Sequence, residues 1–379
     1  MPEALAASRY AGLTRRAAWL VLAAWLALLV AAALTPIRAG EDEAPRASAP
    51  VAAPAAQART RDEDLQLYDD VIARMKRGET YYGVIAQEHR KHRFPLHPGF
   101  AVRLPTLAVI EAALPSGALI PLSLGLTLAI LGVWWRKLGE DPAAAPIRTV
   151  AMAALAIGAS IGTTRYFFVL HELWAGQLLA LSFGLHRPER DKWLGAWVAA
   201  ALALAIREHA LPFVLLMAAM ALWQRRWHEG AAWSALALVF MAAVAIHLHV
   251  VAGMVAASDP PSAPWITLRG LTGWLSMLVL SSDLRLLPHI VAGPLVVASL
   301  LGWSGWKGTA GLFGTLLQAG YALVFAIAGR GDNFYWGMVV APTLLVGLAF
   351  LPGAACALWR SAGSGLNPIA LAGRGVQRG

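Results

Sequence analysis

The chain has 379 residues, of which 58% are hydrophobic and 14% are charged. Soluble domains contain roughly 45–50% apolar and about 25% charged residues, so this composition excludes a water-soluble fold and predicts an integral membrane protein. The net charge of +9 indicates topology signals and contacts with anionic membrane lipids rather than nucleic-acid binding. The single cysteine, Cys356, excludes an internal disulfide framework or a Cys-based metal cluster.

The first membrane helix is predicted at 17–34, an uninterrupted apolar run that follows three arginines. A helix rises about 1.5 Å per residue, so a run of this length spans the hydrocarbon core. The arginines before it predict a cytoplasmic N-terminal end. A cleaved signal peptide is the alternative, because alanines occupy 31–33, but signal peptides usually have apolar cores of about 7–15 residues.

Further apolar segments predict about ten membrane helices in all and therefore an all-α polytopic membrane protein. The additional segments lie near 117–135, 148–164, 172–186, 193–206, 211–224, 231–251, 288–303, 309–328 and 334–352. If the first helix runs outward, the cytoplasmic loops contain Arg136, Lys137, Arg148, Arg187, Arg190, Lys192, Arg225, Arg226 and Lys307. This distribution satisfies the positive-inside rule and predicts that both termini are cytoplasmic. The composition favours a bacterial inner (plasma) membrane.

The predicted organisation has four parts: a basic tip with the first helix (1–36), an external loop (37–103), a multi-pass domain (104–359) and a cytoplasmic tail (360–379). The external loop begins with a Pro/Ala-rich stretch, 40–60, which is typical of a flexible tether.

The second half of the external loop predicts two short helices. Leu65, Tyr68, Ile72 and Met75 fall on one face at helical spacing, which indicates an amphipathic helix at the membrane interface that ends at Gly78. A second helix is expected over 80–91, before two prolines break the chain.

Charged residues cluster on the predicted external face. An ionisable group inside the bilayer costs about 2.5–3.5 kcal/mol on insertion scales, so such groups require a partner, water or a function. The clusters are Arg61-Asp62-Glu63-Asp64, Arg103, Arg165, His171-Glu172, Arg207-Glu208-His209 and Arg330-Gly331-Asp332-Asn333. Arginine binds phosphate through a planar fork of donors, and a carboxylate can act as a general base. Together they predict a cavity for a lipid-linked phosphate.

Structural interpretations of the same residues remain open. Thr60 and Glu63 have the spacing of a capping box, so Asp62 and Asp64 can also belong to a helix start. Arg207 and Glu208 can form a local ion pair at a turn. In the predicted loop 252–287, Arg269 can bind a head group or extend toward the interface.

The arrangement resembles the GT-C class of integral-membrane glycosyltransferases, which use polyprenyl-phosphate-linked sugars. The resemblance covers about the first 210 residues and rests on Arg61-Asp62-Glu63-Asp64-Leu65-Gln66-Leu67-Tyr68, Gly78-Glu79-Thr80-Tyr81-Tyr82 and Val102-Arg103-Leu104-Pro105-Thr106. It implies that an aspartate of the external loop is the catalytic base, with Asp64 the first candidate and Asp62 the second. It also implies that Arg103 and Tyr68 belong to the site, and more loosely Glu172 and Arg207-Glu208.

The sequence therefore predicts transfer of a sugar from a polyprenyl-phosphate donor to a glycan, lipid or protein acceptor on the non-cytoplasmic face. Arg103 and Arg207, with Arg165 or Arg269, would bind the phosphate, and Glu172 and Glu208 would position the arginines or the acceptor. No cofactor is predicted; no residue spacing indicates metal ligands, although the scheme leaves room for a divalent cation. A transporter or flippase of a lipid-linked sugar or other anionic lipid is the main alternative, and a non-catalytic scaffold is a third.

Overall fold

The computed structural model describes residues 8–38, 62–115 and 117–363. The predicted tether, the predicted capping residue Thr60 and the end of the predicted tail lie outside these ranges. The α-helices are α1 (Arg15–Leu34), α2 (Glu63–Lys76), α3 (Tyr81–Lys91), α4 (Thr106–Ala113), α5 (Leu119–Glu140), α6 (Arg148–Ser160), α7 (His171–Leu185), α8 (Leu194–Ile206), α9 (Leu211–Trp223), α10 (Trp227–Ala252), α11 (Gly270–Leu280), α12 (His289–Gly305), α13 (Thr309–Ile327), α14 (Ala341–Leu344) and α15 (Val346–Gly363). Within the described ranges, β-type pairing is limited to isolated bridges.

Within the described ranges, six segments are long and apolar enough to cross a bilayer: Arg15–Leu34, Leu119–Glu140, Ala145–Thr163, Trp227–Ala252, Thr309–Ile327 and Ala341–Gly363. Large aliphatic side chains remain exposed along these helices, for example Leu20, Leu238 and Leu323. A soluble protein rarely leaves so many apolar side chains in contact with water, whereas lipid accepts them. The chain is therefore an all-α membrane protein, as its composition predicts.

The two helices predicted in the external loop are present as α2 and α3. The predicted apolar face of α2 buries Leu65, Tyr68 and Ile72, and the helix packs against α3 and α4. Gly78 follows the end of α2 and has φ +96°. A helix often ends with a residue in this left-handed conformation, which glycine adopts without strain. These contacts attach the external helices to the bundle.

The predicted external loop 252–287 contains a helix that sequence reading missed. α11 (Gly270–Leu280) is apolar and buried over Gly273–Val279, and it packs against α13. Its 11 residues correspond to about 16 Å, too short for a bilayer, so a search for membrane-length runs does not find it. The segment is part of the bundle rather than a loop.

Glycines allow the closest helix contact. A Cβ on Gly302 of α12 would collide with the carbonyl oxygen of Gly347 in α15, and a Cβ on Gly347 would collide with the carbonyl oxygen of Ser299. Small residues let membrane helices approach until their backbones touch, and van der Waals packing then holds them. α12 also packs along α1, so these three helices form one side of the bundle.

The first and last described segments meet at the same end of the bundle. Arg9 donates from Nη2 to the carbonyl oxygen of Gly308 (2.8 Å), and the Tyr10 hydroxyl lies 2.6 Å from the Ser304 hydroxyl. The hydroxyl of Ser361 donates to the carbonyl oxygen of Tyr10 (2.9 Å). Residues 8–10 and the end of α15 therefore lie side by side.

Candidate functional site

A cavity of about 310 Å³ lies between the short helices α2 and α3 and the ends of the bundle helices. Its wall comes from five separate stretches of chain: the start of α2, residues 89–103, the link 207–209, residues 262–265 and residues 330–336. The charged side chains that line it are Asp64, Arg103, Arg207, Glu208, Arg330 and Asp332. The fold therefore gathers carboxylates and guanidinium groups from distant parts of the sequence.

Asp64 lies in the first turn of α2 and reaches the cavity. Burial raises the pKa of the Asp64 carboxyl, and the charge of Arg103 opposes this increase without cancelling it. A carboxylate with a raised pKa is a stronger base than an ordinary aspartate at the same pH, provided that it is ionised. Asp64 thus has both the position and the environment of a general base.

Asp62 occupies a different environment two residues earlier. It is the N-cap of α2, its side chain is exposed and makes no capping hydrogen bond, and it is not part of the cavity wall. Two residues along a helix start change the direction of a side chain by about 200° at 100° per residue. The structure therefore separates the two candidate aspartates and directs only Asp64 toward the cavity.

Arg103 is buried in the cavity wall with an exposed fraction of 5%. Its guanidinium lies over the ring of Tyr68 (4.6 Å to the centroid) and that of Tyr335 (5.2 Å), so two aromatic faces hold it by cation–π contacts. Its Nη1 is buried and has no hydrogen-bond partner among the described residues. A buried donor without an acceptor is costly, and an anionic ligand would satisfy this group.

Three hydrogen bonds fix the backbone around Arg103. The carbonyl oxygen of Val102 accepts from His247 Nε2 (3.1 Å), that of Arg103 from the Tyr81 hydroxyl (2.6 Å), and that of Leu104 from His171 Nε2 (3.1 Å). Since a carbonyl oxygen can only accept, each imidazole carries its proton on Nε2. Three different helices, α10, α3 and α7, thereby set the position of one short segment.

Arg207 is held by two carboxylates. Its Nε lies 2.8 Å from Oε1 of Glu172, which is fully buried behind the cavity wall, and its Nη1 lies 2.7 Å from Oε1 of Glu208. The angles at both contacts are too poor for a hydrogen bond, so the attraction between Arg207 and the two carboxylates is mainly electrostatic. Glu172 does not line the cavity; it compensates the charge of Arg207 and keeps this arginine in place.

The Arg330-Gly331-Asp332-Asn333 cluster forms another part of the wall. Arg330 donates through Nε and Nη2 to both carboxylate oxygens of Asp332 (3.1 and 3.0 Å) and through Nη1 to the Ser262 hydroxyl (3.3 Å). Asn333 Oδ1 accepts from the backbone N–H of Arg330 (3.1 Å), which fixes the turn. The sequence grouped this cluster with the other charged clusters, as the cavity does, but gave no site role to its residues.

Aromatic and imidazole residues of the wall were also missed by sequence reasoning. They are His89, Phe94, Phe100, His209, Trp265, Tyr335 and Trp336. The ring of His209 packs on that of Trp336 with centroids 4.3 Å apart. The only sequence signal for them was their position beside the external charged clusters, since aromatic residues are common at membrane interfaces whatever their role.

Two predicted phosphate-binding arginines lie elsewhere. Arg165 is exposed and is not part of the cavity wall. Arg269 also lies outside the wall and donates from Nη1 to the carbonyl oxygen of Arg330 (3.2 Å), so it supports the neighbouring turn. The prediction grouped them with Arg103 because they share a membrane face, but a shared face does not fix which side chains meet.

Three potential metal ligands meet outside the cavity. Ligand atoms of Asp70, Glu88 and His92 lie within 4.8 Å of one another. However, Lys91 Nζ lies 2.6 Å from Oδ2 of Asp70 and 3.1 Å from Oε2 of Glu88. Arg74 Nη1 also lies 3.0 Å from Oε1 of Glu88, so two cations balance the two carboxylates, and the cluster is a network of ion pairs on α2 and α3.

Comparisons with models of protein families, with curated proteins and with solved structures find no match to this chain.

Proposed function

We propose that this protein is a membrane glycosyltransferase that moves a sugar from a polyprenyl-phosphate donor to a hydroxyl group of a glycan, lipid or protein acceptor. One observation carries the proposal: a single cavity combines the half-buried carboxylate of Asp64 with Arg103, whose Nη1 has no hydrogen-bond partner in the part of the chain that the structure describes. A carboxylate can accept the acceptor's proton, and a guanidinium can bind the donor's phosphate.

The reaction is a direct displacement at the anomeric carbon. The acceptor oxygen attacks this carbon while its proton moves to the carboxylate of Asp64, and a new glycosidic bond forms. The bond between the anomeric carbon and the phosphate oxygen breaks, and the phosphate leaves with the electron pair. Attack opposite the leaving group inverts the configuration. Arg103 and Arg207 stabilise the negative charge that develops on the phosphate.

The other cavity residues bind and orient the substrates. The volume of about 310 Å³ lies at the lower end of the range for small-molecule sites, which suits one sugar and its phosphate. Tyr68 and Tyr335 hold the Arg103 guanidinium with their rings, and Trp265, which also lines the cavity, can pack against the apolar side of a sugar ring. Glu172 and Glu208 position Arg207.

The proposal includes ten membrane spans, with both termini on the cytoplasmic side of a bacterial inner membrane. The ten are the six long segments together with the shorter helices α7, α8, α9 and α12. The end of the bundle at which residues 8–10 and Ser361 meet is also the end with Arg187, Arg226 and Lys307. The positive-inside rule assigns that end to the cytoplasm and the Asp64 cavity to the opposite side.

The test measures sugar transfer by purified protein in nanodiscs, with a panel of radiolabelled polyprenyl-phosphate sugars and membrane-extract acceptors. Asp64→Asn is expected to lose at least about 100-fold in rate, the usual lower contribution of a general base. Burial raises the pKa of Asp64, so its ionised form costs folding free energy above that pKa, and the neutral amide should fold at pH 7.

Asp62→Asn is the matched control and should keep full activity, because its exposed side chain does not reach the cavity. If a folded Asp64→Asn protein transfers sugar at the wild-type rate, the assignment of the base is wrong. If no donor on the panel reacts while labelled lipid crosses the bilayer of proteoliposomes, the chain is a transporter.

A further inference from the structure

A second and larger cavity, of about 800 Å³, opens at the other end of the bundle. α7 connects the two ends: it begins at His171 and Glu172 beside Arg207, and it is followed by His186, which lines the second cavity. Its 15 residues correspond to about 22 Å. The second cavity therefore lies roughly the length of a short membrane helix away from Asp64.

Cationic side chains outnumber carboxylates in the wall of this cavity. The cations are Lys137, Arg187, Arg190, Arg226 and Lys307, and the carboxylates are Glu140, Asp141 and Glu189. They come from the ends of α5 and α13 and from the links after α7 and α9. The proposed glycosyltransferase reaction uses none of these residues.

Two of the carboxylates are already engaged in the wall. Asp141 accepts from the backbone N–H of Ala143 (2.8 Å) and from Trp306 Nε1 (3.1 Å). Glu140 is shared between Arg187 (3.2 Å) and Arg190 (3.3 Å). Arg226 also pairs with Glu229, a buried carboxylate that does not line the cavity. Five cations then face four carboxylates, so the cavity keeps a net positive charge.

Several cations retain unused donors. Lys137 Nζ donates to the carbonyl oxygen of His186 (2.6 Å), and no carboxylate lies within 4 Å of it in the part of the chain that the structure describes. Nε of Arg187 and Nε of Arg226 are buried without a hydrogen-bond partner among the described residues. Lys307 is exposed at the rim. An anionic ligand in the cavity would satisfy buried donors of this kind.

The backbone adds to the same electrostatic pattern. Thr309 and Ala310, in the first turn of the 19-residue helix α13, also line the cavity. Free N–H groups and the helix dipole favour an anion at such a position. This contribution coincides with the lysine and arginine side chains described above, so side chains and backbone prefer the same kind of ligand.

We propose that the second cavity binds a phosphate-bearing ligand, either the head group of an anionic lipid or a free phosphorylated small molecule. A phosphate group presents several anionic oxygens and can contact lysines and arginines on different elements at the same time. The volume of about 800 Å³ lies within the range of small-molecule sites and exceeds the space that inorganic phosphate alone would fill.

Two probes distinguish the sources of the phosphate. Calorimetric titration of inorganic pyrophosphate into phosphatidylcholine nanodiscs that hold the protein tests a free ligand, with succinate at equal ionic strength as the non-phosphate anion. Native mass spectrometry of protein taken from nanodiscs that contain phosphatidic acid tests a lipid head group. Lys307→Gln and Lys137→Gln remove cavity charges, and Lys192→Gln removes an exposed lysine outside the cavity wall.

We expect the wild type to bind one of the two phosphate probes, and Lys192→Gln to bind it equally well. The cavity variants Lys307→Gln and Lys137→Gln should bind the same probe at least tenfold more weakly. The proposal is overturned if neither probe binds, if succinate binds as tightly as pyrophosphate and phosphatidic acid is not retained, or if Lys192→Gln weakens binding as much as the cavity variants. Lys307 is exposed, so its variant decides the result if Lys137→Gln does not fold. Sugar transfer is not measured, so this test fails or succeeds independently of the proposed reaction.

Discussion

Replacement of Arg103 by glutamine tests whether the Asp64 cavity binds a lipid-linked phosphate. Arg103 is buried between Tyr68 and Tyr335, and its Nη1 has no partner among the described residues. One charge-assisted hydrogen bond from this atom contributes about 1.5–3 kcal/mol, which corresponds to a loss of roughly 10- to 160-fold in kcat/KM. Arg103→Lys keeps the charge but loses the planar fork, so we expect it to recover only part of the activity.

The same variant changes the pH dependence in a defined direction. Burial raises the pKa of Asp64, and the positive charge of Arg103 opposes that increase. Removal of Arg103 therefore raises the pKa of Asp64 further. A base acts only when it is deprotonated, so activity is present above this pKa and is lost as the pH falls through it. The acidic limb of the pH–rate profile is expected to move to higher pH in Arg103→Gln.

The assay is the initial rate of labelled sugar transfer in nanodiscs, measured across pH for the wild type and each variant. Arg165→Gln is the matched control, because Arg165 is an exposed arginine outside the cavity wall. The reasoning is refuted if a folded Arg103→Gln protein keeps the wild-type kcat/KM and pH profile. It is also refuted if Arg165→Gln causes an equal loss, since the effect would then come from the general charge of this face.

Two further predictions concern stability and are measured by thermal or denaturant unfolding in detergent. Gly302→Ala should destabilise the protein by about 1–3 kcal/mol, because the added Cβ would meet a backbone carbonyl of the neighbouring helix. The control, Gly320→Ala, places its Cβ in open space and should be neutral or slightly stabilising. Equal effects of the two variants would contradict the close helix contact. Glu172→Gln should destabilise the protein by about 3 kcal/mol, because it leaves Arg207 with one carboxylate. The control is Glu79→Gln, which should have a much smaller effect because water screens the exposed pair of Glu79 with Arg74. A neutral Glu172→Gln would show that the buried pair does not contribute to folding.

Much of the candidate site could be predicted from local patterns in the sequence. The amphipathic spacing of Leu65, Tyr68 and Ile72 identified α2, because one face of a helix recurs every three to four residues. The charged clusters that contain Asp64 and Arg103 stood out because charged residues are costly beside apolar segments, and the resemblance to a glycosyltransferase class nominated these two residues within them. Arg207 and Glu208 were found in the same way, and the structure shows the ion pair that their adjacency suggested.

The remaining features depend on contacts between distant segments. Whether Asp62 or Asp64 reaches the cavity depends on where α2 begins and how this helix packs. The position of the Arg269 side chain depends on its hydrogen bond to the carbonyl oxygen of Arg330. α11 escaped the sequence search because burial among other helices, rather than length, makes it stable.

The sequence by itself determined that this protein is an all-α membrane protein with charge concentrated outside its apolar helices. These properties depend on transfer free energy and helical periodicity, which are local sums along the chain. Only the tertiary structure decided which charges meet. It joins Asp64, Arg103, Arg207 and Arg330 in one cavity and forms a second, basic cavity at the opposite end. Hydropathy places a residue at a membrane face, whereas packing between helices selects its neighbours on that face.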